Sequence, residues 1–204
     1  MSLRSESTDI LIIGAGPAGS VAAGLLRQQG RQVLVLEKEQ FPRFSIGESL
    51  LPQSMEYIQQ AGMLQAVVEA GFQYKNGAAF ARGDKRTAFD FRDKHGSGWG
   101  TTYQVQRADF DHVLAREAEK QGADVRFRHE VLSVDVAGDQ PVVTVRSPEG
   151  ETYRVQARFL LDASGFARIL PRLLQLERPS DFPVRGALFT HIQDGIAHGD
   201  MDRS

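Results

Sequence analysis

A buried strand that runs directly into a glycine turn constrains this chain more than any other feature. Asp9-Ile10-Leu11-Ile12-Ile13 is almost wholly apolar, as a parallel strand covered on both faces must be. Gly14-Ala15-Gly16-Pro17-Ala18-Gly19 follows. Residues 20–29 then place Val21, Ala22, Leu25 and Leu26 at helical spacing, with Gly30 as the stop. Val33-Leu34-Val35-Leu36 is a second buried strand, and it ends in Glu37. Together they predict a β-α-β unit of about 30 residues. In such a unit the first glycine (Gly14) permits the tight turn, and the second (Gly16) lets the backbone approach a pyrophosphate. The third (Gly19) lets helix and strand pack closely, and the helix N-terminus offers free N–H groups. Glu37, eighteen positions after Gly19, stands where a carboxylate accepts hydrogen bonds from a ribose diol. A glycine triplet alone is a weak signal. The strand before it, the helix after it and the acid closing the second strand make it a dinucleotide signature.

The rest of the chain does not continue as β-α units. A loop over 41–49 leads into two short helices, about 50–60 and 63–70, stopped by Gly62 and Gly71. Residues 87–91 and 102–105 read as strands on either side of Gly96-Ser97-Gly98. A helix over 109–121 carries Phe110, Val113, Leu114 and Ala118 on one face. Strands over 125–127, 131–134, 142–145 and 153–155 include an antiparallel meander turning at Gly138-Asp139 and Pro148-Glu149-Gly150. Phe159-Leu160-Leu161 reads as a third buried strand entering the turn Asp162-Ala163-Ser164-Gly165. A short helix over 167–174 and a strand over 186–192 close the pattern. Lys75 lies just past Gly71 and Phe72 and before Asn76-Gly77, in a predicted turn.

Composition narrows the function classes. Net charge is −2, which argues against a nucleic-acid partner. The absence of cysteine excludes disulfide scaffolds, thiolate metal sites and cysteine nucleophiles. None of the five histidines has a convincing ligand spacing, so no metal site is expected. No apolar run reaches the ~18 residues of a membrane span. The first apolar segment is cut by Gly14, Gly16 and Pro17, unlike a signal peptide. The expectation is a cytoplasmic protein with no membrane span.

Four segments carry a resemblance: residues 10–37, residues 41–52 (Phe41-Pro42-Arg43-Phe44-Ser45-Ile46-Gly47-Glu48-Ser49-Leu50-Leu51-Pro52), Gln104 to Asp111, and Leu161 to Gly165. They resemble the flavin-dependent oxidoreductases of the aromatic-hydroxylase type. That superfamily also holds geranylgeranyl-reductase-like proteins and flavin-dependent halogenases. Gly47 to Pro52 and Gly71 to Phe80 place the halogenases nearest.

The resemblance implies an α/β fold, with a Rossmann-like FAD-binding βαβ sheet, a β-meander and the start of an antiparallel substrate-domain sheet. It divides the chain into an FAD-binding part, 1–75 and 104–180, and partial substrate-domain strands, 76–103 and 181–204. The implied cofactor is FAD. Gly14, Gly16, Pro17, Ala18 and Gly19 would hold its pyrophosphate, and Glu37 with Lys38 its adenosine ribose end. Arg43, Ser49 and Arg107 would lie along the phosphate and ribityl region. Asp162 and Gly165 would border the ribityl–pyrophosphate stretch, and backbone near Val131 would meet adenine. Lys75 would be the catalytic lysine that holds a hypohalous acid between flavin and substrate. The implied activity is halogenation or monooxygenation of a small organic substrate with reduced FAD and oxygen, helped by a separate flavin reductase or NAD(P)H. An ene-reductase or a non-catalytic FAD- or nucleotide-binding fragment is the alternative. The family's second glycine–aspartate flavin motif and its Trp-x-Trp-x-Ile-Pro signature fall beyond Ser204, so the chain is expected to be an N-terminal portion.

Overall fold

A computed structural model describes residues 3–190. The glycine turn dictates the centre of the fold. Strand β1 (Ser5–Ile13) runs into helix α1 (Pro17–Gln28), which returns the chain to β2 (Val33–Leu36), parallel to β1. The helix begins three residues earlier than its apolar pattern, because Pro17 takes the first helical position, where a missing N–H and a fixed φ cost nothing.

Helices α2 (Pro52–Gln60) and α3 (Leu64–Glu69) follow, then the short strand β3 (Gln73–Lys75). Strands β4 (Gly77–Arg82) and β5 (Lys85–Asp90) form a hairpin where a single strand over 87–91 was expected. The two-residue Gly83-Asp84 turn, with Gly83 at φ +58°, is the hairpin signal in the sequence. Strand β6 (Thr102–Gln104) pairs with β3, and α4 (Arg107–Lys120) leads into β7 (Asp124–Arg126). The meander is β8 (Glu130–Asp135), β9 (Val142–Arg146) and β10 (Thr152–Asp162). The main sheet has the order β7-β2-β1-β10-β9-β8, parallel through β7, β2, β1 and β10 and antiparallel in the meander.

Three expectations are corrected here. The strands over 153–155 and 159–161 are one strand, β10, whose first half pairs with β9 while Arg154 to Asp162 runs beside β1. Its end is not buried on both faces, since Phe159 is 57% exposed. The helix over 167–174 is a 3-10 turn (Gly165–Ala167) and helix α5 (Ile169–Leu173), separated by Arg168 at φ +45°. Residues 186–190 form no strand, and 191–192 lie outside the described residues.

Apolar residues on the two sheet faces build two cores. Ile12, Val33 and Val35 pack under α1, α3 and α4 with Met63, Phe110 and Leu114. Leu11, Leu34 and Leu36 pack under the meander with Val143, Val145, Val155 and Ala157. This alternation makes the end of β1, Ile10–Ile13, and the whole of β2 apolar.

The glycines are set by close approach. A Cβ on Gly14, which has φ +100°, would stand 2.7 Å from the Ala163 carbonyl oxygen. A Cβ on Gly19 would collide with the Gly14 carbonyl oxygen and lie 3.3 Å from the Ala163 side chain. Gly19→Ala therefore overpacks a rigid backbone junction at a cost of about 1–3 kcal/mol. At roughly 2–4 °C per kcal/mol for a chain of this size, thermal denaturation should show a melting temperature several degrees lower. Gly96→Ala, with nothing within 4 Å of its added methyl, should melt with wild type.

Candidate functional site

The site forms where β1, β2 and β10 end side by side. Gly14 donates to the Leu36 carbonyl at 2.8 Å, and Ala163 donates to the Ile13 carbonyl at 2.9 Å. The glycine turn is thus clamped between the ends of β2 and β10, and the Asp162–Gly165 turn lies against it. Helix α1 opens beside this clamp. Gly16 is its N-cap, no side chain caps it and no acidic residue stands in its first turn. Its first N–H groups are available to an anion, and the helix dipole favours one. Ala18 is exposed at this end, and Pro17 is half-buried.

Glu37 is buried, and its carboxylate is engaged on both oxygens. Oε2 accepts from the Ala15 N–H at 2.9 Å, and Oε1 accepts from the Glu39 N–H at 2.9 Å. Each oxygen keeps a lone pair for a further donor. The residue therefore fixes the glycine turn from the end of β2, a function the strand-end position alone did not reveal.

Arg43 reaches across from the 41–49 loop. Its guanidinium lies 4.6 Å from the Phe41 ring centre, and Nη2 approaches to 3.9 Å of where a Gly16 Cβ would be. Nη1 is 3.0 Å from Asp111 Oδ2, but the angle is poor, so this buried nitrogen has no well-aligned acceptor. Arg107, on the first turn of α4, is differently used. Nε and Nη2 grip both oxygens of Asp111 at 2.7 and 3.0 Å, and Nη1 donates to the Ile46 carbonyl at 2.9 Å. Both arginines thus meet on Asp111, which is wholly buried and was not singled out in the sequence. The signal that could have found it is the i, i+4 spacing from Arg107 on one helix face.

Lys75 closes β3 and does not lie in a turn. Its ammonium donates to Ser49 Oγ and, at 3.1 Å, to the Leu50 carbonyl. It stands 5.3 Å from the Phe91 ring centre. Burial pushes its pKa below the usual lysine value. Ser49 is held in turn by a bridge to Gln104, with Val105 donating to Glu48 at 2.8 Å and Leu50 to Tyr103 at 3.2 Å.

The remaining predicted residues fall around the rim. Asp162 is exposed and bonds the N–H groups of Ser164 (2.9 Å) and Leu170 (2.8 Å), so it shapes the turn and starts α5. Gly165 supplies that turn with φ +57°. Lys38 is directed to Glu130, 2.9 Å away on β8. Val131 is half-buried beside a bulge of β8 and packs on the meander core. Trp99 packs on the first core and donates to Gln59 at 3.0 Å. Among the described residues no group of histidine, aspartate and glutamate is placed to hold a metal, and no helix is long and apolar enough to cross a membrane.

The Arg43 guanidinium, with Nη2 beside an uncapped helix N-terminus and a glycine with no Cβ, suits a pair of phosphates. The family model for the FAD binding domain matches residues 7–191. The chain belongs to this FAD-binding family. A tryptophan 2-halogenase of Chondromyces crocatus is 40% identical over 167 residues, which are 81% of this chain and 31% of that protein. A solved flavoprotein/dehydrogenase of Cytophaga hutchinsonii is 47% identical with a TM-score of 0.84, covering 86% of this chain and 44% of that one. The anhydrotetracycline hydroxylase of Streptomyces rimosus superposes with a TM-score of 0.73 at 26% identity, over 87% of this chain and 36% of that one. The chain spans about a third of the length of the curated relatives it matches. The cofactor of this family is FAD, and the observed geometry fits it.

Glu37 now yields a prediction. Its two backbone hydrogen bonds are made within the protein, so Glu37→Ala should destabilise even the cofactor-free protein, by about 1–3 kcal/mol for the buried Ala15 N–H left unpaired. Calorimetry without FAD checks this. An unchanged melting temperature would confine Glu37 to cofactor contact.

Proposed function

We propose that this chain is the cofactor-binding part of a flavin-dependent halogenase or monooxygenase acting on a small organic substrate. The observation that carries the reading is the placement of Lys75. A half-buried ammonium with a lowered pKa is anchored to the Ser49–Leu50 segment, and that segment continues from the Arg43 loop over the glycine turn. The halogenase relatives at 35–40% identity support the halogenase branch. The hydroxylase likeness supports monooxygenation as the second reading.

The turn from Gly14 to Gly19 faces the pyrophosphate with the N–H groups at the start of α1, those of Ala18 and Gly19 among them, while Gly14, Gly16 and Pro17 shape the approach and Arg43 adds its guanidinium. Glu37 offers its remaining lone pairs to the adenosine ribose, with Lys38 and backbone near Val131 at the adenine end. Ser49, Asp162 and Gly165 line the ribityl side. Bound FAD supplies the redox chemistry, using oxygen in its reduced state. Lys75 donates to Ser49 and Leu50 and so keeps one of its three N–H bonds for an incoming hypohalous acid. Its lowered pKa eases proton exchange with that species. The Gly77–Asp90 hairpin, with Phe80 and Phe89 stacked at 6.1 Å and more than half exposed, begins the substrate-facing sheet. A separate flavin reductase, or NAD(P)H itself, provides the electrons, and the cytoplasm is the compartment where both are at hand.

The test uses the full-length protein with reduced FAD, oxygen, halide and an aromatic substrate panel. Lys75→Ala should lower halogenated product at least about 100-fold, a loss typical of a removed proton-transfer group. FAD content and flavin reoxidation should stay near wild type, because backbone bonds to Tyr103 and Val105 still hold the 48–50 segment. Halogenated product persisting in the variant removes Lys75 from catalysis. Oxygenated product formed by wild type without halide selects the monooxygenase reading.

A further inference from the structure

Two arginines meet one carboxylate beside the glycine turn, and the three side chains are not equivalent. Asp111 is wholly buried, while the Arg43 and Arg107 side chains are 20% and 17% exposed. Arg107 spends Nε and Nη2 on Asp111 and Nη1 on the Ile46 carbonyl. It fastens the loop to α4 and has little left for a ligand. Arg43 makes the looser contact. Nη1 is close to Asp111 but badly aligned, and Nε is 3.5 Å from Glu39 Oε2. Its planar face is set by the Phe41 ring, which is itself packed on Phe127 at 5.1 Å between centres.

We propose that Asp111 is the positioning residue of the pyrophosphate site. It aims Arg43 at the phosphates and assigns Arg107 to the loop. The inference rests on the reading that the glycine turn and Arg43 hold the FAD pyrophosphate. It carries a sign that separates geometry from charge. The trio has a net charge of +1, two arginines against one aspartate. Removing the aspartate's charge raises the local positive potential, which by itself would tighten a dianionic ligand. If Asp111 acts by position, affinity falls in spite of that gain. The two guanidinium groups then repel each other with no carboxylate between them, and Arg43, left with Glu39 alone, turns away from Gly16.

The experiment titrates the full-length protein with FAD and, separately, with riboflavin, which has the same ring and no phosphate. Binding is followed by flavin fluorescence. Asp111→Asn should weaken FAD at least about tenfold and leave riboflavin affinity within twofold. Asp111→Glu keeps the charge but lengthens the arm in a closed site. It should also weaken FAD selectively, and it supplies the answer where Asp111→Asn does not fold. FAD affinity unchanged or tightened in these variants, or both flavins weakened equally, overturns the positioning role. A wild-type protein that does not bind FAD overturns the cofactor reading and this inference with it.

Discussion

The backbone contact of Gly14, Gly19 and Ala163 is the constraint on which the rest of the structure depends. Three chain segments converge there: the end of β1, the first turn of α1 and the turn after β10. Two glycines without Cβ atoms let the carbonyl of Ala163 and that of Gly14 come so near that any side chain would be expelled. Because the approach is backbone to backbone, no rotamer can relieve a substitution. The same contact brings the N-terminus of α1 up to the sheet edge, and hence toward the loops that follow β2 and β10. The site is a consequence of how closely β1 and α1 pack.

Two buried carboxylates then do the local positioning. Glu37 bonds the turn from below, through the Ala15 N–H, and Asp111 holds two arginines from the side. Buried charges persist only when paired or fully hydrogen-bonded, and both conditions are met, for Glu37 by N–H groups of the glycine turn and of the loop after β2, and for Asp111 by guanidinium groups of the 41–49 loop and α4. The arrangement keeps acidic side chains out of the first turn of α1, where they would compete with a phosphate for the N–H groups. Negative charge is used close by, but always turned toward N–H groups and guanidinium groups.

How much of this was legible in the sequence follows from the range of the interactions. The β-α-β unit and the meander turns are local patterns, and the observed strands and helices fall within a few residues of expectation. The hairpin of β4 and β5 was half seen, because its exposed faces carry Ala, Thr and Arg in no clear alternation. β10 reads as two strands, because Tyr153, Val155 and Ala157 alternate with exposed Arg154, Gln156 and Arg158, whereas Phe159-Leu160-Leu161 is a continuous apolar run. A strand that serves a meander at one end and a parallel sheet at the other cannot show one period throughout. The candidate residues come from motif likeness, and their partners do not. That Asp111 also takes Arg43, or that Lys75 reaches Ser49, depends on segments 26 to 68 positions apart meeting in space. No periodicity encodes that.

The small sheet of β3 and β6 explains why the Arg43 loop and Lys75 are mechanically one unit. Strand β6 pairs with β3 along Gln73 to Lys75, and through Leu50, Ser49 and Glu48 it also holds the loop on its other side. Lys75 bridges back to that loop through Ser49 and the Leu50 carbonyl, closing a ring of contacts around three chain segments. Tyr74 and Tyr103 stack edge to face across the pair, 6.5 Å between centres. Arg107 begins α4 directly after β6, and its side chain returns to Ile46 on the same loop. The loop that carries Arg43 is therefore fixed at Ile46 by α4 and at Glu48 to Leu50 by β6. A shift of that loop toward a bound cofactor must move the anchor of Lys75 with it. The distance between the Arg43 loop and the lysine is set by two short strands and one arginine, packed on the first core through Val105 and Phe110.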